Sequence, residues 1–215
     1  MNRENCIIVG SGPAEEMPPA GLYSCGSPLV LCADGGLSRA LAAGLKPDAL
    51  IGDCDSVSVD PPPGIERVLL PEEKDVTDLR ACVDYGFERG ARSFILLCCT
   101  GGRLDHFYAN TALLEYILGK GGEGLIADRY NEIRLHAPGR LELPPDDRFP
   151  YISLLPYDRE VTGVTTEGLY YPLTNALLSR AHSLGVSNRR TDENTPAAVT
   201  TTGGLLLVVK SRDIF

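Results

Sequence analysis

Ile51-Gly52-Asp53-Cys54-Asp55-Ser56 follows directly on Asp48-Ala49-Leu50. The apolar residues read as a short buried strand that stops at the glycine, because Gly and Asp are poor strand formers. Two carboxylates one residue apart repel, and each makes the other harder to ionise. A divalent cation between them relieves that repulsion; a solvated acidic turn is the other reading. Repetition favours the cation. Ala33-Asp34-Gly35-Gly36, Lys74-Asp75-Val76-Thr77-Asp78 and Gly101-Gly102-Arg103-Leu104-Asp105-His106 each put a carboxylate at a predicted strand-to-helix junction. Open α/β sheets bind their ligands at such junctions.

Upstream, Cys6-Ile7-Ile8-Val9-Gly10 and Pro28-Leu29-Val30-Leu31-Cys32-Ala33 read as buried strands, and Leu37 to Gly44 has helical composition. Gly10-Ser11-Gly12 opens like a dinucleotide fingerprint. The third glycine is missing and Pro18-Pro19 interrupts the helix such a motif needs, so it reads as a turn. Downstream, Glu66 to Leu70 is a strand stopped by Pro71. Asp75 is expected to open a helix carrying Val76, Leu79, Cys82, Val83 and Phe87 on one face. Ser93 to Cys99 is a strand, and Leu104, Phe107, Thr111, Leu114 and Ile117-Leu118 mark one face of a second helix. Alternating strands and helices predict an α/β domain with a mainly parallel sheet flanked by helices.

The character changes after Gly119-Lys120-Gly121-Gly122. Short strand candidates follow at Ile126-Ala127, Glu132 to Leu135, Arg140 to Leu143, Tyr151 to Leu155, Gly168 to Tyr171, Ala197 to Thr201 and Leu205 to Lys210, divided by turn-rich segments. They predict an antiparallel β-sandwich. A length of 215 residues accommodates two domains, expected at 1–122 and 123–215.

A net charge of −9 argues against a nucleic-acid partner or an anionic membrane surface. The odd count of 7 cysteines, with no Cys-x-x-Cys pair, fits buried free thiols and a cytoplasmic location. Scattered histidines argue against a structural zinc site. No signal peptide is expected from the N-terminal residues, and no apolar run is long enough to span a bilayer.

Hard carboxylate oxygens without His or Cys favour Mg²⁺. Mg²⁺ completes its shell with water and substrate phosphates, which points to a nucleoside triphosphate. Gly101-Gly102 lets the backbone approach a phosphate, and Arg103 supplies a guanidinium that binds phosphate bidentately. Together these parts fit phosphoryl transfer. Each also has a structural alternative. Asp34 could cap a helix, Asp75 to Asp78 could form a capping-box variant with Asp78 on the helix dipole, Arg103 and Asp105 could make a surface ion pair, and His106 could sit in a core or rim.

The four acidic motifs, in this order, resemble those of the thiamine pyrophosphokinase family. So do Gly168-Leu169-Tyr170-Tyr171-Pro172-Leu173-Thr174-Asn175 and Gly185-Val186-Ser187-Asn188 further on. The resemblance implies an ATP- and Mg²⁺-binding α/β domain, a thiamine-binding β-sandwich, and a homodimer with thiamine between subunits. It implies pyrophosphate transfer from ATP to the thiamine hydroxyl, leaving AMP. Asp53, Asp55 and Asp78 would hold the metal, with Arg103 and Asp105 completing the catalytic set. Asp34, Gly35, Gly36, Ser56, Lys74, Asp75, Thr77, Gly101 and Gly102 would join Arg103 around ATP. Tyr171, where some members carry tryptophan, would stack on thiamine, and Thr174, Asn175, Ser187 and Asn188 would line the same pocket. A same-fold diphosphokinase acting on another alcohol and a non-catalytic nucleotide- or thiamine-binding module are the alternatives.

Overall fold

The computed structural model describes residues 4–24, 26–53, 59–71, 73, 75–192 and 194–214. Cys54, Asp55, Ser56 and Lys74 lie outside them. The chain forms two compact units, Met1–Arg129 and Tyr130–Phe215.

Among the described residues the first unit has strands β1 (Asn5–Val9), β2 (Leu29–Ala33), β3 (Ala49–Gly52), β4 (Glu66–Leu69), β5 (Ser93–Leu97) and β6 (Glu123–Ala127). Three α-helices accompany them: α1 (Gly36–Ala42), α2 (Asp78–Glu88) and α3 (Leu104–Gly119). The strands lie in the order β4-β3-β2-β1-β5-β6, all neighbours parallel. β1 and β2 are nearly uniformly apolar because both sheet faces are covered. On one face Ile7, Val9, Val30, Cys32 and Leu50 pack with Leu37 and Ala40 of α1. On the other, α2 comes so close that a Cβ on Gly86 would stand 2.6 Å from the Phe94 ring.

β6 pairs with β5 from Ser93↔Glu123 to Leu97↔Ala127, and the first compact unit extends through Arg129. Two helix expectations change. α2 starts at Asp78 with Thr77 as its N-cap, not at Asp75, because the Thr77 hydroxyl accepts from the Arg80 amide at 3.2 Å. The buried face of α3 is Leu113, Leu114 and Ile117, while Leu104 is 79% exposed.

The second unit is a two-sheet sandwich. β7 (Asn131–His136), β13 (Leu206–Ser211) and β9 (Tyr151–Pro156) make one antiparallel set in the order β7-β13-β9. β11 (Ala176–Ser179), β10 (Glu160–Glu167), β12 (Ala197–Thr201) and β8 (Gly139–Leu143) make the other, in the order β11-β10-β12-β8. Ile152, Leu154, Leu206 and Val208 from the first set pack against Leu143, Val161, Val164, Leu178 and Val199 from the second. β10 escapes the sequence reading because its alternation is broken by a bulge between Val161 and Val164, where Gly163 adopts φ 65. Gly168 to Tyr171, expected as a strand, is a turn with one isolated bridge, Leu169↔Arg190.

No helix among the described residues is long and apolar enough to cross a membrane.

Candidate active site

Parallel pairing brings the ends of β1, β2, β3 and β5 to one edge of the first unit's sheet. Because β1 lies between β2 and β5, strand order reverses there, and such reversals open a ligand crevice. The Gly10-Ser11-Gly12 turn sits at this point. The Gly10 amide donates to the Leu97 carbonyl at 2.8 Å and the Gly12 amide to the Cys98 carbonyl at 2.9 Å. A Cβ would fall 2.4 Å from the Cys98 oxygen at Gly12, and 2.0 Å from the Val9 oxygen at Gly36. These glycines are required by backbone approach, so the turn belongs to this edge although only a short 3-10 helix, Ala14–Glu16, follows it.

Asp34, Gly52 and Asp78 converge. A Cβ on Gly52 would lie 3.2 Å from Asp34 Cβ and 3.3 Å from Asp78 Oδ1. Asp53 follows directly in the chain. Asp34 adopts φ 45, its amide donates to the Ile51 carbonyl at 3.0 Å, and its Oδ1 is buried without a hydrogen-bond partner. A shielded carboxylate oxygen without a donor suits a cation. No group of three His, Cys, Asp or Glu among the described residues could alone hold a metal ion. Mg²⁺ needs only one or two carboxylates plus phosphates and water, so the all-oxygen set fits it.

Arg39, on α1, was not singled out by sequence reasoning. Its Nε donates to the Gly12 carbonyl at 3.0 Å and its Nη1 to the Gly35 carbonyl at 2.9 Å, tying the turns after β1 and β2 together. An arginine four residues beyond Gly35, the one charged residue of α1, was the available signal.

Past β5, Gly101 and Gly102 are exposed at φ 75 and 65, a left-handed pair that favours glycine. Arg103 grips Asp105 with both ends of its fork, Nε to Oδ1 at 3.1 Å and Nη2 to Oδ2 at 2.5 Å. The pair is exposed, at 72% and 63%. Hydrogen bonds from Arg103 hold the Asp105 carboxyl at about 2. The surface ion pair is therefore formed, and a bound polyphosphate would compete with Asp105 for the guanidinium. Asp75, Thr77 and His106 are exposed.

The five described cysteines, Cys6, Cys32, Cys82, Cys98 and Cys99, are free and buried. Burial pushes the Cys32 thiol up to about 12 and the Cys98 thiol up to about 11, which removes both as thiolate nucleophiles at neutral pH.

In the second unit the structure brings Tyr171, Ser187 and Asn188 together. Tyr171 is 60% exposed, and its ring meets Tyr170 edge to face with centroids 5.0 Å apart. The Arg189 guanidinium lies over Tyr170, 4.3 Å from the centroid. Ser187, at φ 54, donates its amide to Ser153 Oγ at 3.0 Å. Thr174 is exposed, and Asn175, at φ 48, donates its amide to Thr165 Oγ1 at 3.0 Å. Asn188 is buried, with its side-chain amide bonded to backbone groups.

Two family profiles match the chain, "Thiamin pyrophosphokinase, catalytic domain" over residues 22–122 and "Thiamin pyrophosphokinase, vitamin B1 binding domain" over residues 140–206. The crystal structure of thiamin pyrophosphokinase from Geobacillus thermodenitrificans superposes with a TM-score of 0.85 at 31% identity, covering 97% of this chain and 98% of that one. This chain belongs to the thiamin pyrophosphokinase family. Thiamine pyrophosphokinase of Bacillus subtilis is 28% identical over 211 residues, 96% of this chain and 98% of the relative. A crystal structure from that organism gives a TM-score of 0.88 at 27% identity, over 98% and 100% of the two chains. The family's catalytic-domain match contains all four acidic motifs, and its vitamin B1 binding match contains Tyr171 and Asn188. Gly10 to Gly12 lies before the first matched residue, so the geometry at β1 adds a part that the profile does not cover.

Proposed function

We propose that this chain is a thiamine pyrophosphokinase that moves the terminal pyrophosphoryl group of ATP to the hydroxyl of thiamine. A bond forms between the hydroxyl oxygen and the β-phosphorus. The bond from that phosphorus to the oxygen bridging it to the α-phosphate breaks, and AMP leaves with the electron pair. The hydroxyl proton is lost, and the products are thiamine diphosphate and AMP.

The observation that carries this reading is the convergence of Asp34, Gly52 and Asp78 at the strand ends of a chain matched by both domains of the family. Asp53, Asp55 and Asp78 would hold Mg²⁺ with Asp34 beside them, and the ion would neutralise charge on the transferring phosphates. Gly35, Gly36, Gly101 and Gly102 let backbone amides approach the polyphosphate. Ser56, Lys74, Thr77 and Arg103 complete its binding, with Arg103 exchanging Asp105 for a phosphate, and Asp75 belongs to the ATP site without contacting the phosphates. Tyr171 offers a ring face to the cationic or aromatic part of thiamine, with Thr174, Asn175 and Ser187 around it. A homodimer working in the cytoplasm is part of the same reading.

AMP release measured with ATP and Mg²⁺, with and without thiamine, tests it. Thiamine-dependent AMP release is expected. Release stimulated only by a different alcohol would favour a same-fold diphosphokinase of other specificity, and binding without release would favour a non-catalytic module.

A further inference from the structure

Asn188 is 3% exposed, yet it sits one residue from the exposed Ser187 and Arg189. A primary amide offers two donor and two acceptor positions, and most of those of Asn188 are occupied. Oδ1 accepts from the Tyr171 amide at 3.0 Å and from the Arg189 amide at 2.9 Å. Nδ2 donates to the Tyr171 carbonyl at 2.7 Å. The side chain thus pairs with both backbone groups of Tyr171 as a neighbouring strand would. Its own backbone is tied elsewhere, since the Asn188 carbonyl accepts from the Ile152 amide of β9 at 2.7 Å. Asn188 is therefore the link between a rigid sandwich strand and the turn that presents Tyr171.

The surroundings extend the same clamp. The Tyr170 amide donates to the Arg189 carbonyl at 2.8 Å, and the Thr191 amide to the Gly168 carbonyl at 3.0 Å. Leu169, 3% exposed, anchors the turn in the sandwich core. The two tyrosine rings are left half-exposed on a backbone that cannot shift without breaking buried hydrogen bonds.

We infer that Asn188 is a positioning residue for thiamine, holding the Tyr171 ring through that residue's backbone rather than contacting the substrate itself. The inference rests on the reading that Tyr171 lies at the thiamine site. It differs from the pocket-lining role that the family resemblance implies for Asn188. An aromatic face held in place before binding avoids the loss of affinity that ordering it on binding would bring.

A double-mutant cycle tests this, with KM for thiamine, KM for ATP and kcat measured for Asn188→Ala, Tyr171→Ala and the double variant, alongside thermal melts. Tyr171→Ala is expected to raise KM for thiamine by roughly tenfold, the effect of losing one stacking contact. Asn188→Ala should produce a comparable rise with KM for ATP unchanged, and the double variant should be no worse than Tyr171→Ala alone. Asn188→Asp keeps both acceptor bonds but sets a carboxylate oxygen against the Tyr171 carbonyl, so it should fall between wild type and Asn188→Ala. It carries the same cycle if the alanine variant fails to fold. Penalties that multiply in the double variant would show an independent substrate contact and overturn the inference. So would a lower melting temperature with KM for thiamine unchanged. If Tyr171→Ala leaves KM for thiamine unchanged, the thiamine-site reading fails first.

Discussion

At the scale of single residues, charge and backbone clearance decide what the crevice can do. Asp53 joins the glycine that Asp34 and Asp78 crowd. Asp53→Asn keeps shape and removes charge, so kcat is expected to fall on the order of 10²–10³-fold, as when a transition-state stabiliser is lost. Wild-type turnover in a folded variant would remove Asp53 from the metal site. Asp105 offers a titration test. Its folded carboxyl stands at about 2, below the ordinary 3.8. The ion pair with Arg103 is therefore intact above that ordinary value and is lost as pH falls through about 2. NMR titration of the Asp105 carboxyl should show a midpoint near 2 in wild type, shifted toward 3.8 in Arg103→Ala. An unchanged midpoint would mean that another group holds the proton off.

At the scale of elements, β7, β13 and the β8–β9 connection share an ionic cluster. Lys210 bonds to Glu132 at 2.5 Å and to Asp146 at 2.6 Å, and Arg148 bonds to Glu132 at 2.8 Å and to Asp146 at 2.9 Å. The two carboxylates are nearly buried, so their charges are tolerable only in pairs. Burial pushes the Asp146 carboxyl up, but hydrogen bonds from Arg148 and Lys210 outweigh it and hold it at about 2. Its stabilising contribution is thus present above 3.8 and fades as pH falls toward about 2. Lys210→Ala leaves two buried carboxylates short of a partner and should destabilise the fold by about 3–5 kcal/mol, read by chemical denaturation at pH 7. Asp146→Asn should flatten the acid side of the stability curve; a curve as steep as wild type would place the acid sensitivity elsewhere.

At the scale of the whole molecule, the proposed ATP and thiamine residues belong to different compact units, Met1–Arg129 and Tyr130–Phe215. If the proposed homodimer shares its sites between subunits, two impaired variants can complement each other. Mixing equal amounts of Asp53→Asn and Tyr171→Ala subunits under exchange should restore roughly a quarter of the wild-type activity at limiting thiamine, because about half of the dimers are mixed and one of the two sites in each is intact. Demonstrated exchange with no recovery would place each site within one chain.

Much of this was legible in the residues themselves. Apolar runs ending in Asp or Gly placed β1, β2 and β3, and the apolar run from Ser93 to Cys99 placed β5, because buried parallel strands need continuous apolar sequence. The order of the acidic motifs put them at one sheet edge, since parallel strands end together. Local pattern could not place β10, whose alternation a bulge interrupts, nor could it assign β6 to its sheet, which depends on pairing with a strand some thirty residues earlier. It also missed Arg39, whose partners Gly12 and Gly35 are brought together only by strand order. Asn188 shows the same division. Its presence beside Ser187 was plain in the sequence, but whether its amide faces substrate or backbone depends on where Tyr171 comes to rest. Hydrogen-bond partners distant in sequence are chosen by packing, and packing is a property of the folded chain.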